Sequence, residues 1–389
     1  MPVKFIALFL TLFLVAGVSY GQEKDTEPGD YGSDVDDFDE HNPPAPDPSQ
    51  RAPLEYKSQK TKNELVVAPI PNYNPAQGWG LALMAQNIFS TTPGVKPSTG
   101  VAAIFGTQKE SYGAMAGYLG RMNGDRWRLN IFGGYVRINS DFYGVGEAAA
   151  ERDQSVLMHQ NVVFVNIQWM PRLAEGFYLG PTVGYNRMDT SFDVDPLPSG
   201  VSPDIKLDDE SWLPGFKGQY DSRNNTFYPT QGVFSNFQGQ FYDKNLGGGH
   251  TFQRYRVNYS QYFGMFTESA LAVRVATEAN IGDVPFYKMA VFGRGRDMRG
   301  YKAGQYRDNI LWAAQTEYRQ RFTDRWGFVV FGGFGDVVGK VSELTLTNLL
   351  WAGGTGIRFR MARQNPVDFR VDVAYGDDWA TYVSVNQAF

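Results

Sequence analysis

Side chains able to do chemistry are few in this 389-residue chain, and they are widely spaced. The three histidines, His41, His159 and His250, show no metal-ligand spacing, and the absence of cysteine removes disulfides and thiolate sites. Asp34, Asp36, Asp37, Asp39 and Glu40 gather carboxylates, but the glycine and distal glutamate of a calcium loop are out of register, so they read as a solvated acidic stretch. GVSYG at 17–21 spells the GxSxG of serine hydrolases inside an apolar leader, without the strand-turn-helix context that nucleophile needs. No acid-base set accompanies it, and the chain reads as a non-enzyme. The densest group is GRGRDMRGYKAGQYRDN at 293–309, with five arginines or lysines and four glycines. A phosphate cradle fails there because Met298 stands where the third glycine of GxGxxG belongs and no helix pattern follows, so no cofactor is implied. Asp297 and Asp308 relieve the basic patch, and a net charge of −5 with a pI near 5.4 argues against a nucleic-acid partner.

The elements that must position this loop start with what is not fold. Lys4, the apolar run FIALFLTLFLVAG and the small residues Ser19 and Gly21 read as a secretory signal over 1–21, too short for a membrane helix. Residues 22–62 are acidic, proline-rich and poor in aliphatics, the composition of a disordered linker.

From 63 to 389 the texture is that of long alternating strands. Leu271, Val273, Val275 and Ala279 alternate with Arg274, Glu278 and Asn280. Phe369, Val371 and Val373 alternate with Asp368, Arg370 and Asp372. The runs last about 9–12 residues, the length that crosses a bilayer at a tilt, whereas sandwich strands average about 5–6. Aromatics near the run ends, such as Trp169, Phe322 and Trp326, suit interfacial girdles, and the charged face suits a wet lumen. The expected fold is all-β: a transmembrane antiparallel β-barrel of about sixteen strands, from 65–73 to 380–389. Turns such as TDR and RQNP are short on one side, and the long loops at 140–157, 189–210, 282–309 and 337–352 lie on the other.

The segments MRGY (298–301), YDSRNNTFYPTQG (220–232), TEYR (316–319), FGGFGD (331–336) and the final phenylalanine resemble the BamA/TamA outer-membrane barrel superfamily, which includes bacterial surface antigens. The resemblance covers about 63–389. It implies an exported protein of the bacterial outer membrane that moves or inserts polypeptide or lipid. The alternative is a passive or plugged pore or surface antigen. Implied partners are outer-membrane lipid, the barrel assembly machinery during biogenesis, and a polypeptide or lipid client. The stretch before the barrel is shorter than a domain, so a stand-alone member without POTRA modules is expected.

The resemblance also implies that the 293–309 loop, the sixth outer loop, folds into the lumen, with Arg299, Gly300 and Tyr301 clasping the inner wall. Glu317 and Asp336 are the candidate carboxylates, Asp336 first because Gly332, Gly333 and Gly335 leave room for a guanidinium fork. Val383, Val385 and Phe389, read on one face of the last strand, form the expected assembly signal.

Overall fold

The computed structural model describes residues 64–89, 97–151, 154–193, 207–293, 298–361, 368–385 and 387–389. The expected signal and linker lie outside these residues, as do Arg294, Gly295, Arg296 and Asp297 of the loop.

Alternation of apolar and polar side chains lets a strand face two solvents, and here sixteen such strands close on one another. They are β1 (Glu64–Asn74), β2 (Gly78–Phe89), β3 (Ser98–Thr107), β4 (Tyr112–Met122), β5 (Trp127–Phe142), β6 (Val156–Ala174), β7 (Phe177–Phe192) and β8 (Asp208–Asp221). The rest are β9 (Gly232–Tyr242), β10 (Phe252–Gly264), β11 (Ser269–Gly282), β14 (Ile310–Arg321), β15 (Trp326–Val338), β16 (Leu350–Arg360), β17 (Asp368–Tyr375) and β18 (Trp379–Val385). Neighbours in sequence pair antiparallel, and β18 returns to β1. Two further strands of two residues, β12 (Ala290–Val291) and β13 (Arg307–Asp308), pair with each other inside the long connection from β11 to β14.

Several strands outrun their expected ends: β6 was expected over 158–170 and spans Val156–Ala174. The hydrophobic alternation fades where a strand leaves the bilayer, but the backbone ladder continues, as Asp141 opposite Leu157 shows. The last strand errs the other way. Expected to 389, it stops at Val385.

The outward face carries Leu81, Leu83, Ile104, Val330 and Ile357, all exposed, which only a hydrocarbon solvent makes favourable. Among the described residues no helix is long and apolar enough to cross a membrane. The inward face is uneven. On β14 and β17 it carries Glu317, Arg319, Arg321, Asp368, Arg370 and Asp372, all buried. On β6, β8 and β9 it is rich in amides, where Lys217 donates to Gln168 at 2.9 Å. On β1 to β4 it is mostly apolar.

Candidate functional site

Local sequence shapes the loop between β11 and β14 before any distant contact does. Its ends are zipped by Ala290 opposite Asp308 and Val291 opposite Arg307. Phe292 stands edge-on to Tyr301 at 5.2 Å, and Tyr301 to Tyr306 at 5.6 Å. These rings and Met298 form a buried cluster with Leu311, Ala313 and Val337, inward residues of β14 and β15. Burying several aromatic side chains gives the loop a core of its own, which a solvated loop lacks.

Arg299 sits below that cluster and is inaccessible to solvent. Its Nη2 donates to Glu317 Oε2 at 2.7 Å and its Nη1 to Asp372 Oδ2 at 2.8 Å, while the guanidinium carbon lies 3.3 Å from the centre of the Phe331 ring. Both carboxylates are shared. Glu317 Oε1 accepts from Arg319 Nε at 2.8 Å, and Asp372 accepts from Arg358 Nη1 at 2.5 Å and Arg370 Nη1 at 3.2 Å. Buried charges are tolerable when each is paired and hydrogen-bonded, and this network supplies the pairing from β14, β16 and β17. Arginine is neither an acid nor a nucleophile at accessible pH, so this set is suited to holding rather than to catalysis.

Gly300 and Tyr301 complete the contact. Gly300 has φ of 105°, and a Cβ there would stand 2.8 Å from the Gly376 nitrogen, so the close approach and the left-handed backbone both require glycine. Its N–H donates to the Tyr382 hydroxyl at 2.9 Å, and that hydroxyl donates to the Tyr301 carbonyl at 3.3 Å. The Tyr301 hydroxyl donates to the Trp351 carbonyl at 2.8 Å.

Asp336 is elsewhere. Glu317 stands opposite Phe331, and Trp312 opposite Asp336, which places Asp336 on the face of β15 away from Arg299. Its carboxylate accepts from the Val337 N–H at 2.7 Å. The glycines that suggested room for a fork also hide the parity of the strand, since Gly332, Gly333 and Gly335 give no inward or outward signal. The second carboxylate is Asp372, which sequence reading put on the charged face with Asp368 and Arg370 but did not select. Phe331 was missed because it reads as one of an unbroken apolar run.

Val383 and Phe389 do not share a face-long strand. Val383 stands opposite Tyr73 of β1, and Val385 opposite Phe369 of β17. Beyond the strand, Gln387 accepts from Arg358 Nε at 3.0 Å, and the Phe389 carbonyl accepts from Arg319 Nη2 at 2.6 Å. The Phe389 ring lies 5.4 Å from the Arg319 guanidinium and 5.9 Å from that of Arg274. Arg319 and Arg358 of the inner wall thus hold this segment inward, an attraction that a strand pattern does not reveal.

The seam is the second notable feature. Among the described residues β1 and β18 meet at one opposed pair, Tyr73 and Val383, whereas β17 and β18 pair from Phe369–Val385 through Tyr375–Trp379. Pro69 and Pro71 lie in β1. Neither can donate a ladder hydrogen bond, and proline is otherwise confined to sheet edges and bulges.

The Omp85 superfamily domain matches residues 173–377. No curated protein matches the chain. Among solved structures, BamA from Haemophilus ducreyi lacking POTRA domains 1-3 is similar with a TM-score of 0.57 at 13% identity, over 84% of this chain and 70% of that one. CdiB from Acinetobacter baumannii gives 0.54 at 12%, over 84% and 60%, so this chain spans less than two thirds of it. CdiB from Escherichia coli gives 0.56 at 8%, over 85% and 68%. At these identities the likeness is one of fold.

Proposed function

The chain belongs to the Omp85 superfamily, and on that premise we propose that it is a bacterial outer-membrane barrel that inserts polypeptide into the membrane or secretes it across, with the β1–β18 seam as the client's route. The observation that carries this reading is that, among the described residues, the seam has the single opposed pair Tyr73–Val383. A ladder of that length is the least costly place to part a closed sheet, since each hydrogen bond contributes about 0.5–1.5 kcal/mol net. The clasp has a complementary role in this reading. Arg299, Gly300 and Tyr301 hold the loop on β14, β16 and β17, so the wall beside the seam stays ordered while β1 moves. The barrel assembly machinery would insert this chain as it does other barrels, and lipid is its solvent.

The test uses the lack of cysteine. Tyr73→Cys with Val383→Cys places a single oxidisable pair across the seam, where opposed Cα atoms stand about 4.5–5.5 Å apart. Oxidation should reduce client insertion or secretion at least tenfold, and reductant should restore it. Undiminished activity from a fully oxidised barrel refutes the reading. The apolar loop cluster at the outer end of the lumen favours one second reading, a plugged barrel. In that case oxidised and reduced protein would show the same steady conductance and no client.

A further inference from the structure

The inner wall of β6 to β9 holds one charge that nothing answers. Opposed residues share a face, and the inward rows read Gln168–Thr182–Gly215–Gln240, then Gly180–Lys217–Gln238, then Tyr178–Gln219–Asn236. Lys217 Nζ donates to Gln168 Oε1 at 2.9 Å, and among the described residues no carboxylate acts on it. The carboxylates on its own strand face are engaged elsewhere, Asp209 with Lys288 and Asp221 with Arg223. Glu278 of β11 holds Arg254 and Arg256. An ammonium has three donors, so two of those on Lys217 remain for the lumen.

Its surroundings are a set of unused polar groups. Among the described residues Gln219, Gln238 and Gln240 make no side-chain hydrogen bond, and the Thr182 hydroxyl, in a residue 2% exposed, has no partner either. Gln168 is fixed from behind, since its Oε1 also accepts from Asn130 Nδ2 at 3.3 Å and its Nε2 donates to Asn166 Oδ1 at 2.7 Å. Beside Lys217 the wall is bare by necessity. A Cβ at Gly180 would strike the Trp169 carbonyl, and one at Gly215 the Gly239 carbonyl. These two glycines leave a hollow between the ammonium, the Thr182 hydroxyl and the Gln240 amide.

We propose that this wall binds a phosphate group, with Lys217 as its counter-charge and Thr182, Gln238 and Gln240 as further donors.

Three arguments select that ligand. An ammonium drawn partly out of water without a counter-charge is costly, and a bound anion offsets that cost. A carboxylate is read best by a guanidinium fork, and the three inward rows carry no arginine. A point charge ringed by amide and hydroxyl donors suits instead the several acceptor oxygens of a phosphate. Position agrees, because Lys217 stands four residues before the end of β8 at Asp221, on the side of the short turns. Soluble phosphates and phospholipid headgroups are both close at hand there. This inference does not rest on polypeptide transport, and a barrel that moves no client would still bind phosphate here.

The test uses the full chain in dodecyl maltoside micelles. Isothermal titration with inorganic phosphate and with glycerol 3-phosphate reads a soluble source. Native mass spectrometry with added phosphatidylglycerol, against diacylglycerol that lacks the phosphate, reads a lipid source. Binding in either arm is the expected result, and the arm that responds identifies the source. Lys217→Gln should weaken it at least tenfold, and Thr182→Val, which keeps the shape and removes the hydroxyl, at least threefold. No binding in either arm overturns the proposal, as does binding that Lys217→Gln leaves unchanged. Saturation by polyglutamate that phosphate does not displace overturns it in favour of an acidic polypeptide. Should Lys217→Gln fail to assemble, Thr182→Val and Gln238→Leu decide: unchanged binding in both overturns the proposal, and weakened binding in either supports it.

Discussion

Removing the Arg299 side chain should free the loop without opening the barrel. Arg299→Ala deletes two charge-assisted hydrogen bonds, at 2.7 and 2.8 Å, and the contact with the Phe331 ring. Breaking a buried ion pair commonly costs about 3–5 kcal/mol, because the remaining charge is left stranded. Here it is not stranded. Glu317 keeps Arg319 at 2.8 Å, and Asp372 keeps Arg358 at 2.5 Å and Arg370 at 3.2 Å. The cost should therefore fall below that range, to about 2–3 kcal/mol, which is roughly a 30- to 150-fold rise in the undocked loop population. Glu317→Ala should cost more, about 3–5 kcal/mol, since Arg299 and Arg319 then share no acceptor at that position. Arg299→Lys should recover part of the loss, because an ammonium can reach one carboxylate but cannot fork to two. The assay is the rate of trypsin cleavage at Lys302 in the folded barrel, with unheated gel mobility confirming that the barrel stays closed. Cleavage follows the open population when the loop recloses quickly. A double-mutant cycle then separates the partners: coupling of Arg299 with Glu317 and with Asp372 should exceed about 1 kcal/mol, and coupling with Asp336 should vanish. Zero coupling with both Glu317 and Asp372 would show that the loop is held by its apolar cluster alone.

Gly300→Ala should release the loop by about 1–3 kcal/mol, since it combines a left-handed backbone with a Cβ 2.8 Å from the Gly376 nitrogen, and the same cleavage assay reads it. Phe389→Ser should lower the heat-modifiable fraction in isolated outer membranes, and recovery of soluble periplasmic protein from the unaltered chain would contradict the barrel's location. Deleting residues 23–51 should leave the heat stability of the barrel unchanged, as that segment lacks apolar periodicity. In the β4–β5 turn, burial acts to raise the Asp125 carboxyl, but its hydrogen bond to Arg128 and that residue's charge outweigh it and hold the group below the usual range. Its stabilisation is then complete above the unfolded carboxylate value near ~4 and is lost as pH falls through the lower folded value. Thermal scans should decline as pH falls below about 4, and Asp125→Asn should make that decline shallower without abolishing it.

Sequence by itself determined the class of solvent on each side of the sheet. Alternation over strands such as Ser269–Gly282 and Asp368–Tyr375 is a local property, readable because side chains of successive residues point to opposite faces. Strand number, antiparallel order and the long connection before β14 followed from the same signal. The 293–309 loop stood out as cationic, glycine-bearing and too long for a turn, and it was the resemblance to the BamA/TamA barrels that singled out Arg299, Gly300 and Tyr301 within it. What tertiary structure decided were the partners across the lumen. Asp372 lies 73 residues from Arg299, and only closure of the barrel brings β17 beneath the loop. Parity that glycine leaves unwritten was settled by register, which turned Asp336 away and put Phe331 under the guanidinium. The seam and the inward course of Gln387 and Phe389 were likewise beyond the pattern, because alternation says which way a side chain points but not whether its strand has a neighbour.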